Sequence, residues 1–219
     1  MGTSPVRPVS QQVVVYIDGF NLYYGVLKGS PHKWLDVERL FRLLRPHDTI
    51  AAIRYFTAVS SYGKSLDQLT YLRALQTLPL VSVIEGRYKK KRVKCGIVHP
   101  DCHVQPHDRF YFTPEEKHTD VNIAISMLDD AYQSLYEHAI LVSGDSDLVP
   151  AVNMVRTRFP QKQVTVYVPA RNPLRGAAVE LRAAATKDRT LPLNLLAKAQ
   201  LPASIPDGSG GQIIKPTSW

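Results

Sequence analysis

A chain of 219 residues is long enough for one domain with a sizeable core, and its 44% hydrophobic and 21% charged content is that of a globular protein. No apolar stretch approaches the roughly 20 residues needed to span a bilayer, so no membrane partner is expected. The 2 Cys exclude a disulfide scaffold and suit a reducing cytoplasm, while 27 Lys plus Arg against 19 Asp plus Glu leave a net charge of +8 that favours polyanionic partners.

Residues 1–12 read as an N-terminal extension, and they lack the apolar core of a signal peptide. The run Val13-Val14-Val15-Tyr16-Ile17 predicts a strand buried on both faces and ends in Asp18, with Asn21 three residues further on. Asp36 predicts the cap of a helix over 37–44, in which Val37, Leu40, Phe41 and Leu44 share one face. A second strand falls within 49–59. A helix over 65–78 places Leu66, Leu69, Leu72 and Leu75 on one side and stops at Pro79, and 80–84 is a third strand. The basic run Arg87, Tyr88, Lys89, Lys90, Lys91, Arg92, Lys94 follows it.

Residues 95–113 have no clean periodicity and read as an inserted loop or small hairpin. Thr119 predicts the cap of a helix whose apolar face is Val121, Ala124, Ile125, Leu128, Tyr132 and Leu135. Strands at 139–142 and 164–168 flank a helix at 148–159, and a last helix is expected over 174–185. Strands alternating with helices of this length imply a mainly parallel sheet covered on both faces. A domain over 13–190 with an insertion at 95–113 is therefore expected, followed by a tail over 191–219. From Leu201 onward that tail is rich in Pro, Gly and Ser and reads as extended, with Gly208-Ser209-Gly210-Gly211 as flexible linker.

The acids are the chemical signal. Asp18, Asp120, Asp145 and Asp147 each end an apolar run or open a helix, and they lie far apart in sequence. If the first and fourth strands are parallel neighbours, all four meet at the carboxyl edge of one sheet, where open α/β folds bind ligands. Packed carboxylates repel one another, and a hard cation such as Mg²⁺ or Mn²⁺ removes that cost. Asp18 and Asp145 are the expected direct ligands, and Asp120 and Asp147 would hold a second ion or position water. Asn21 would orient a carboxylate or contact phosphate. Ser143 would help present backbone N–H groups to an anion. Taken singly, Asp120 or Asp147 could serve only to start a helix; the joint pattern D-G-x-N, T-D-V and S-G-D-S-D favours a site.

The basic run with its Tyr88 suits RNA, since phosphate-binding charge stands beside a stacking surface; a solvated edge is the other reading. Cys95, His99, Cys102, His103 and His107 supply enough thiolate and imidazole for a Zn²⁺ site. The spacing C-x3-H-x2-C-H matches no standard zinc signature, and a reduced polar hairpin is favoured over a zinc site.

The strings YIDGFNLYYG, EEKHTDVNIAISML, LVSGDSDLVPAV and ELRAAA resemble those of NYN-domain proteins, a branch of the PIN-like nuclease superfamily. The resemblance implies a Rossmann-like three-layer fold, Mg²⁺ or Mn²⁺ held by acids matching Asp18, Asp120, Asp145 and Asp147, and single-strand endoribonuclease activity. Three further strings, YLRAL, QLPASIP and IKPTSW, resemble a subgroup that includes proteins described as 6-hydroxy-3-succinoylpyridine monooxygenase, an enzyme of bacterial nicotine breakdown. That chemistry calls for a flavin, NADH or redox iron, and no G-x-G-x-x-G follows a strand here. A metal-dependent ribonuclease is thus the leading expectation, with the monooxygenase second and a catalytically silent RNA-binding module third. RNA is the expected partner, and a homodimer is left open.

Overall fold

The computed structural model describes residues 11–59, 65–94, 110–172 and 178–219. In chain order the elements are β1 (Gln12–Asp18), α1 (Gly19–Leu22) running into a π turn (Tyr23–Leu27), α2 (Val37–Leu44), β2 (Thr49–Thr57), α3 (Ser65–Leu75), β3 (Val81–Glu85) and β4 (Arg87–Lys94). Then follow β5 (Phe110–Lys117), α4 (Thr119–Tyr132), β6 (His138–Val142), α5 (Val149–Arg158), β7 (Gln163–Val168), α6 (Val179–Ala184), β8 (Lys187–Thr190), β9 (Ser204–Pro206) and β10 (Gln212–Ile214).

Among the described residues, six strands form one sheet in the order β3-β2-β1-β6-β7-β8, and every pairing in it is parallel. The chain builds outward from β1 to β3 on one side, then returns to lay β6 on the other side of β1. The strand order therefore reverses between β1 and β6, which is where such sheets open a crevice for ligands.

The central strand shows why the sheet has two covered faces. Val13, Val15 and Ile17 join the core beneath α2 and α3, whereas Val14 and Tyr16 join the core beneath α4, α5 and α6. Alternate residues of a strand point to opposite sides, so an unbroken apolar run requires a layer on each. The result is the expected three-layer α/β sandwich. Asp36 caps α2 as its position suggests, accepting from the Arg39 backbone N–H at 2.8 Å.

Several expectations are corrected. The buried side of α4 is Ile123, Met127, Asp130 and Ala131, while Val121, Ile125 and Tyr132 are exposed. The physical reason is a buried ion pair. Arg54 on β2 grips Asp130 through Nε at 2.7 Å and Nη2 at 2.5 Å, and the Tyr16 hydroxyl donates to the same carboxylate at 2.7 Å. These bonds turn a polar residue inward and rotate the apolar stripe outward, where Tyr132 rests edge-on against Phe159. Nor does the Thr119 hydroxyl cap α4: His118 occupies the cap with φ 80°, and the Thr119 N–H donates to the Glu116 carboxylate at 3.1 Å.

On α3 the buried side is Tyr71, Leu72, Ala74 and Leu75, and Leu66 and Leu69 face solvent. Of the last expected helix, residues 174–177 lie outside the described residues, and α6 runs from Val179 after a left-handed Ala178. The C-terminal stretch is not an extended tail. Trp34 Nε1 donates to the Pro202 carbonyl at 2.7 Å, Leu201 and Ile213 enter the core, and Trp219 packs on Trp34 and Tyr71. The glycine-rich segment is the tip of the β9–β10 hairpin. Gly208 and Gly210 take φ values of 78° and 94° there, and the Asp207 carboxylate accepts from the Ser209 and Gly211 N–H groups.

The basic run is the strand β4, paired antiparallel with β5 as a ribbon outside the main sheet. The candidate zinc residues Cys95, His99, Cys102 and His103, with His107, lie outside the described residues.

Candidate functional site

Parallel pairing of β1 with β6 aligns Ile17 with Val142, so the residues that follow each strand end side by side. Asp18 caps the first turn of α1 and is buried, as is Ser143. The Asp18 carboxylate accepts from the Asn21 N–H at 2.9 Å, from Asn21 Nδ2 at 2.6 Å and from the Ser143 hydroxyl at 2.9 Å. Asn21 Oδ1 in turn accepts from the Gly144 N–H at 3.0 Å. Asn21 thus orients a carboxylate and stitches the two strand ends together. The glycine of the D-G pair is required by close packing: a Cβ on Gly19 would lie 2.7 Å from the Phe56 carbonyl oxygen.

The same chain of bonds runs on to the other acids. Ser143 Oγ accepts from the Asp145 N–H at 3.0 Å, and the Asp145 carboxylate accepts from the Asp147 N–H at 2.9 Å. Asp145 caps the 3₁₀ turn Ser146–Leu148 that leads into α5, so its orientation is set locally. Asp120 arrives from the first turn of α4, which the Arg54–Asp130 pair clamps to the sheet.

Asp120, Asp145 and Asp147 each offer a carboxylate oxygen, and these oxygens lie within 4.8 Å of one another. This differs from the expected pairing of Asp18 with Asp145. The converging trio is Asp120, Asp145 and Asp147, and the Asp18 oxygens are engaged by Asn21 and Ser143. Burial and the charges of Asp145, Asp18, Glu116 and Asp147 push the Asp120 carboxyl up to about 6 from 3.8. Burial also raises Asp18, against the hydrogen bonds from Asn21 and Ser143 that lower it. A set of hard oxygen donors that repel one another in the absence of a cation fits Mg²⁺ or Mn²⁺ in donor chemistry. The Ser143 side chain is fully buried, with its hydroxyl bonded to the Asp18 carboxylate and the Asp145 N–H.

A family model described as NYN domain matches residues 12–191. The chain belongs to the NYN domain family. A relative from Pseudomonas putida (strain DSM 28022 / S16), named 6-hydroxy-3-succinoylpyridine 3-monooxygenase HspA, is 33% identical over 234 residues, covering 94% of this chain and 74% of that protein. A solved structure described as a protein of unknown function, VPA0982 from Vibrio parahaemolyticus RIMD 2210633, superposes with a TM-score of 0.53 at 18% identity. That superposition covers 84% of this chain and 94% of the other and bears on the fold alone.

Within this NYN domain the β4–β5 ribbon rises beside the acids, since β5 ends at Lys117 and Asp120 opens the next helix. Cross-strand register puts Tyr88, Lys90, Arg92 and Lys94 on one face together with Phe112 and Phe110. Arg92 stacks 3.6 Å from the Phe110 ring centroid, and Phe110, Tyr111 and Phe112 are all exposed. On the other face Arg87, Lys89 and Lys91 alternate, with Lys91 paired to Glu115 at 3.1 Å. Tyr88 meets Phe20 edge-on at 6.0 Å, which joins the root of the ribbon to the turn after Asp18.

Sequence reasoning missed two neighbours of the site. Glu116 raises Asp120 and holds the start of α4. Tyr55 on β2 lies near enough for the Asp18 charge to raise its phenol further above an already high, burial-driven value. The string EEKHTD carried the first signal; the second arises only from the register of β2 on β1. Among the described residues no helix is long and apolar enough to cross a membrane.

Proposed function

We propose that this NYN-domain protein is a Mg²⁺- or Mn²⁺-dependent endoribonuclease. The observation that carries the reading is the convergence of Asp120, Asp145 and Asp147 at the point where the sheet's strand order reverses. Bound there, a divalent cation would polarise a phosphoryl oxygen and lower the pKa of its water. Asp120, Asp145 and Asp147 would hold it. Asp18 keeps Asn21 and Ser143 in place and adds negative charge to the site. The ribbon residues Arg87, Tyr88, Lys89, Lys90, Arg92 and Lys94 would track the RNA backbone and stack its bases. The test is incubation with structured and unstructured RNA in Mg²⁺, Mn²⁺ or EDTA. Cleavage that EDTA stops supports the proposal, and RNA bound but uncut under all conditions replaces it with a silent RNA-binding module.

The relative's name favours a second reading, aromatic-ring hydroxylation. NADH consumption that depends on added 6-hydroxy-3-succinoylpyridine would select it over the nuclease.

A further inference from the structure

Next to the acids, but lined by other side chains, a cavity of about 300 Å³ opens between the start of α1, β2, α3 and the C-terminus. Its size lies at the lower end of the roughly 300–1,000 Å³ of small-ligand pockets. Its walls are unusually aromatic: Phe20, Tyr23 and Tyr24 come from the first helical turns, Tyr55 from β2, Tyr71 from α3, and Trp219 from the chain's last position. The rings are braced by one another and by the backbone. Tyr71 lies 5.4 Å from Trp219 and 6.2 Å from Tyr55, and its hydroxyl donates to the Leu35 carbonyl at 2.8 Å. Tyr88, reaching in from the ribbon, also borders the space.

Polar groups are few and fixed. Gln68 is anchored through Nε2 to the Ala58 carbonyl at 3.0 Å and to Thr57 Oγ1 at 3.3 Å. Asp67 accepts from the Ser218 hydroxyl at 2.5 Å, and the Lys33 ammonium lies 5.9 Å from the Trp219 ring centroid. Aromatic walls with a few hydrogen-bonding groups select a flat ring with polar edges over a branched aliphatic group, because stacking rewards π-faces and the amide and charged groups reward ring nitrogen and exocyclic oxygen. Gly19 and Phe20, which line the space, directly follow Asp18 in the chain. The cavity thus borders the turn that carries Asp18.

We propose that this cavity binds one planar nitrogen-heteroaromatic ring and presents the group attached to it to the acidic site. The ring can come from a base of the RNA strand or from a free hydroxylated pyridine carboxylate. In the first case the inference rests on the nuclease reading and assigns the pocket to the base beside the cleaved phosphate.

The test is titration of the full chain, in EDTA, with 5′-AMP, 5′-UMP, 6-hydroxynicotinate and ring-free ribose 5-phosphate. Emission of the protein's 2 Trp is the readout, since Trp219 lines the cavity and Trp34 packs edge-on against the Trp219 ring. Saturable quenching by ring-bearing probes and none by ribose 5-phosphate is expected. Trp219→Ala should weaken ring binding about tenfold or more, and so should Tyr24→Ala, followed by calorimetry. Tyr24 is 61% exposed, so its truncation leaves the fold intact and keeps the test open if Trp219→Ala unfolds. Tighter binding of the nucleotides than of 6-hydroxynicotinate assigns the pocket to RNA, and the reverse assigns it to a free ring. Ribose 5-phosphate binding as well as 5′-AMP, no saturation by any ring, or unchanged binding by Tyr24→Ala would overturn the proposal. Ring binding by the unmodified chain with no RNA cleavage in Mn²⁺ would refute the nuclease reading alone, and cleavage without ring binding would refute the pocket alone.

Discussion

Replacing Asp120 by Asn removes one charge from a site whose carboxylates repel, and the effect on stability has a defined sign. In the folded protein the Asp120 carboxyl sits at about 6, against an ordinary 3.8. The folded state therefore holds a proton that the unfolded chain releases, and stability present below pH ~4 is lost as pH rises through ~6. The full gap corresponds to roughly 3 kcal/mol. Because the carboxylate is partly open to water, about 1–1.5 kcal/mol is the usable figure. Urea denaturation of both proteins in EDTA at half-unit steps from pH 4 to 8 measures it. The variant should gain relative to wild type as pH rises from ~4 to ~6, reaching an advantage of about 1 kcal/mol and then holding it. Mn²⁺ at neutral pH should stabilise wild type more than the variant, by up to ~2.7 kcal/mol at a hundredfold excess over its dissociation constant. Two parallel stability curves with no pH-dependent gap would refute the argument that like charge strains this site.

Asp130→Ala should cost about 3 kcal/mol in urea denaturation, because Arg54 and the Tyr16 hydroxyl lose their buried partner, and Arg54→Met with Asp130→Leu should recover much of it. Ser143→Ala should cost about 1–3 kcal/mol by leaving the Asp18 carboxylate and the Asp145 N–H each short of a bond, measured in the same way. Changing Lys89, Lys90 and Arg92 together to Ala should flatten the salt dependence of RNA binding, with the slope of log affinity against log salt falling by roughly 0.7 per lost phosphate contact. An unchanged slope in filter binding would place the ribbon away from RNA.

The parallel sheet was legible because β1 and β6 are unbroken apolar runs, and only a strand covered on both sides tolerates that pattern. Asp18 and the Asp145–Asp147 pair stood out for the same reason, following such runs, whereas Asp120 opens a helix. Helix faces were less so. On α4 the apolar stripe through Val121 and Ile125 suggested one side, but the buried side was decided by Arg54 and Tyr16, which are distant in sequence and reach Asp130 only once β2 and β1 pair. The C-terminal stretch misled for a related reason. Its Pro and Gly content fits a loose chain, yet Trp219 finds Trp34 and Tyr71, contacts that no local pattern announces. The bonds that engage Asp18 depend on Ser143 and Asn21 meeting across two strand ends.

The proposal has these acids hold a cation that drives RNA cleavage. The measurement that addresses it most directly is the initial rate of cleavage of an unstructured RNA against Mn²⁺ concentration, for wild type and Asp145→Asn purified in parallel. Wild type should show no cleavage in EDTA and a saturable rise with Mn²⁺, and the variant should be slower by about a hundredfold or more, reflecting the several kcal/mol a bound cation contributes. Cleavage that persists in EDTA, or an Asp145→Asn rate equal to wild type at saturating Mn²⁺, would contradict it.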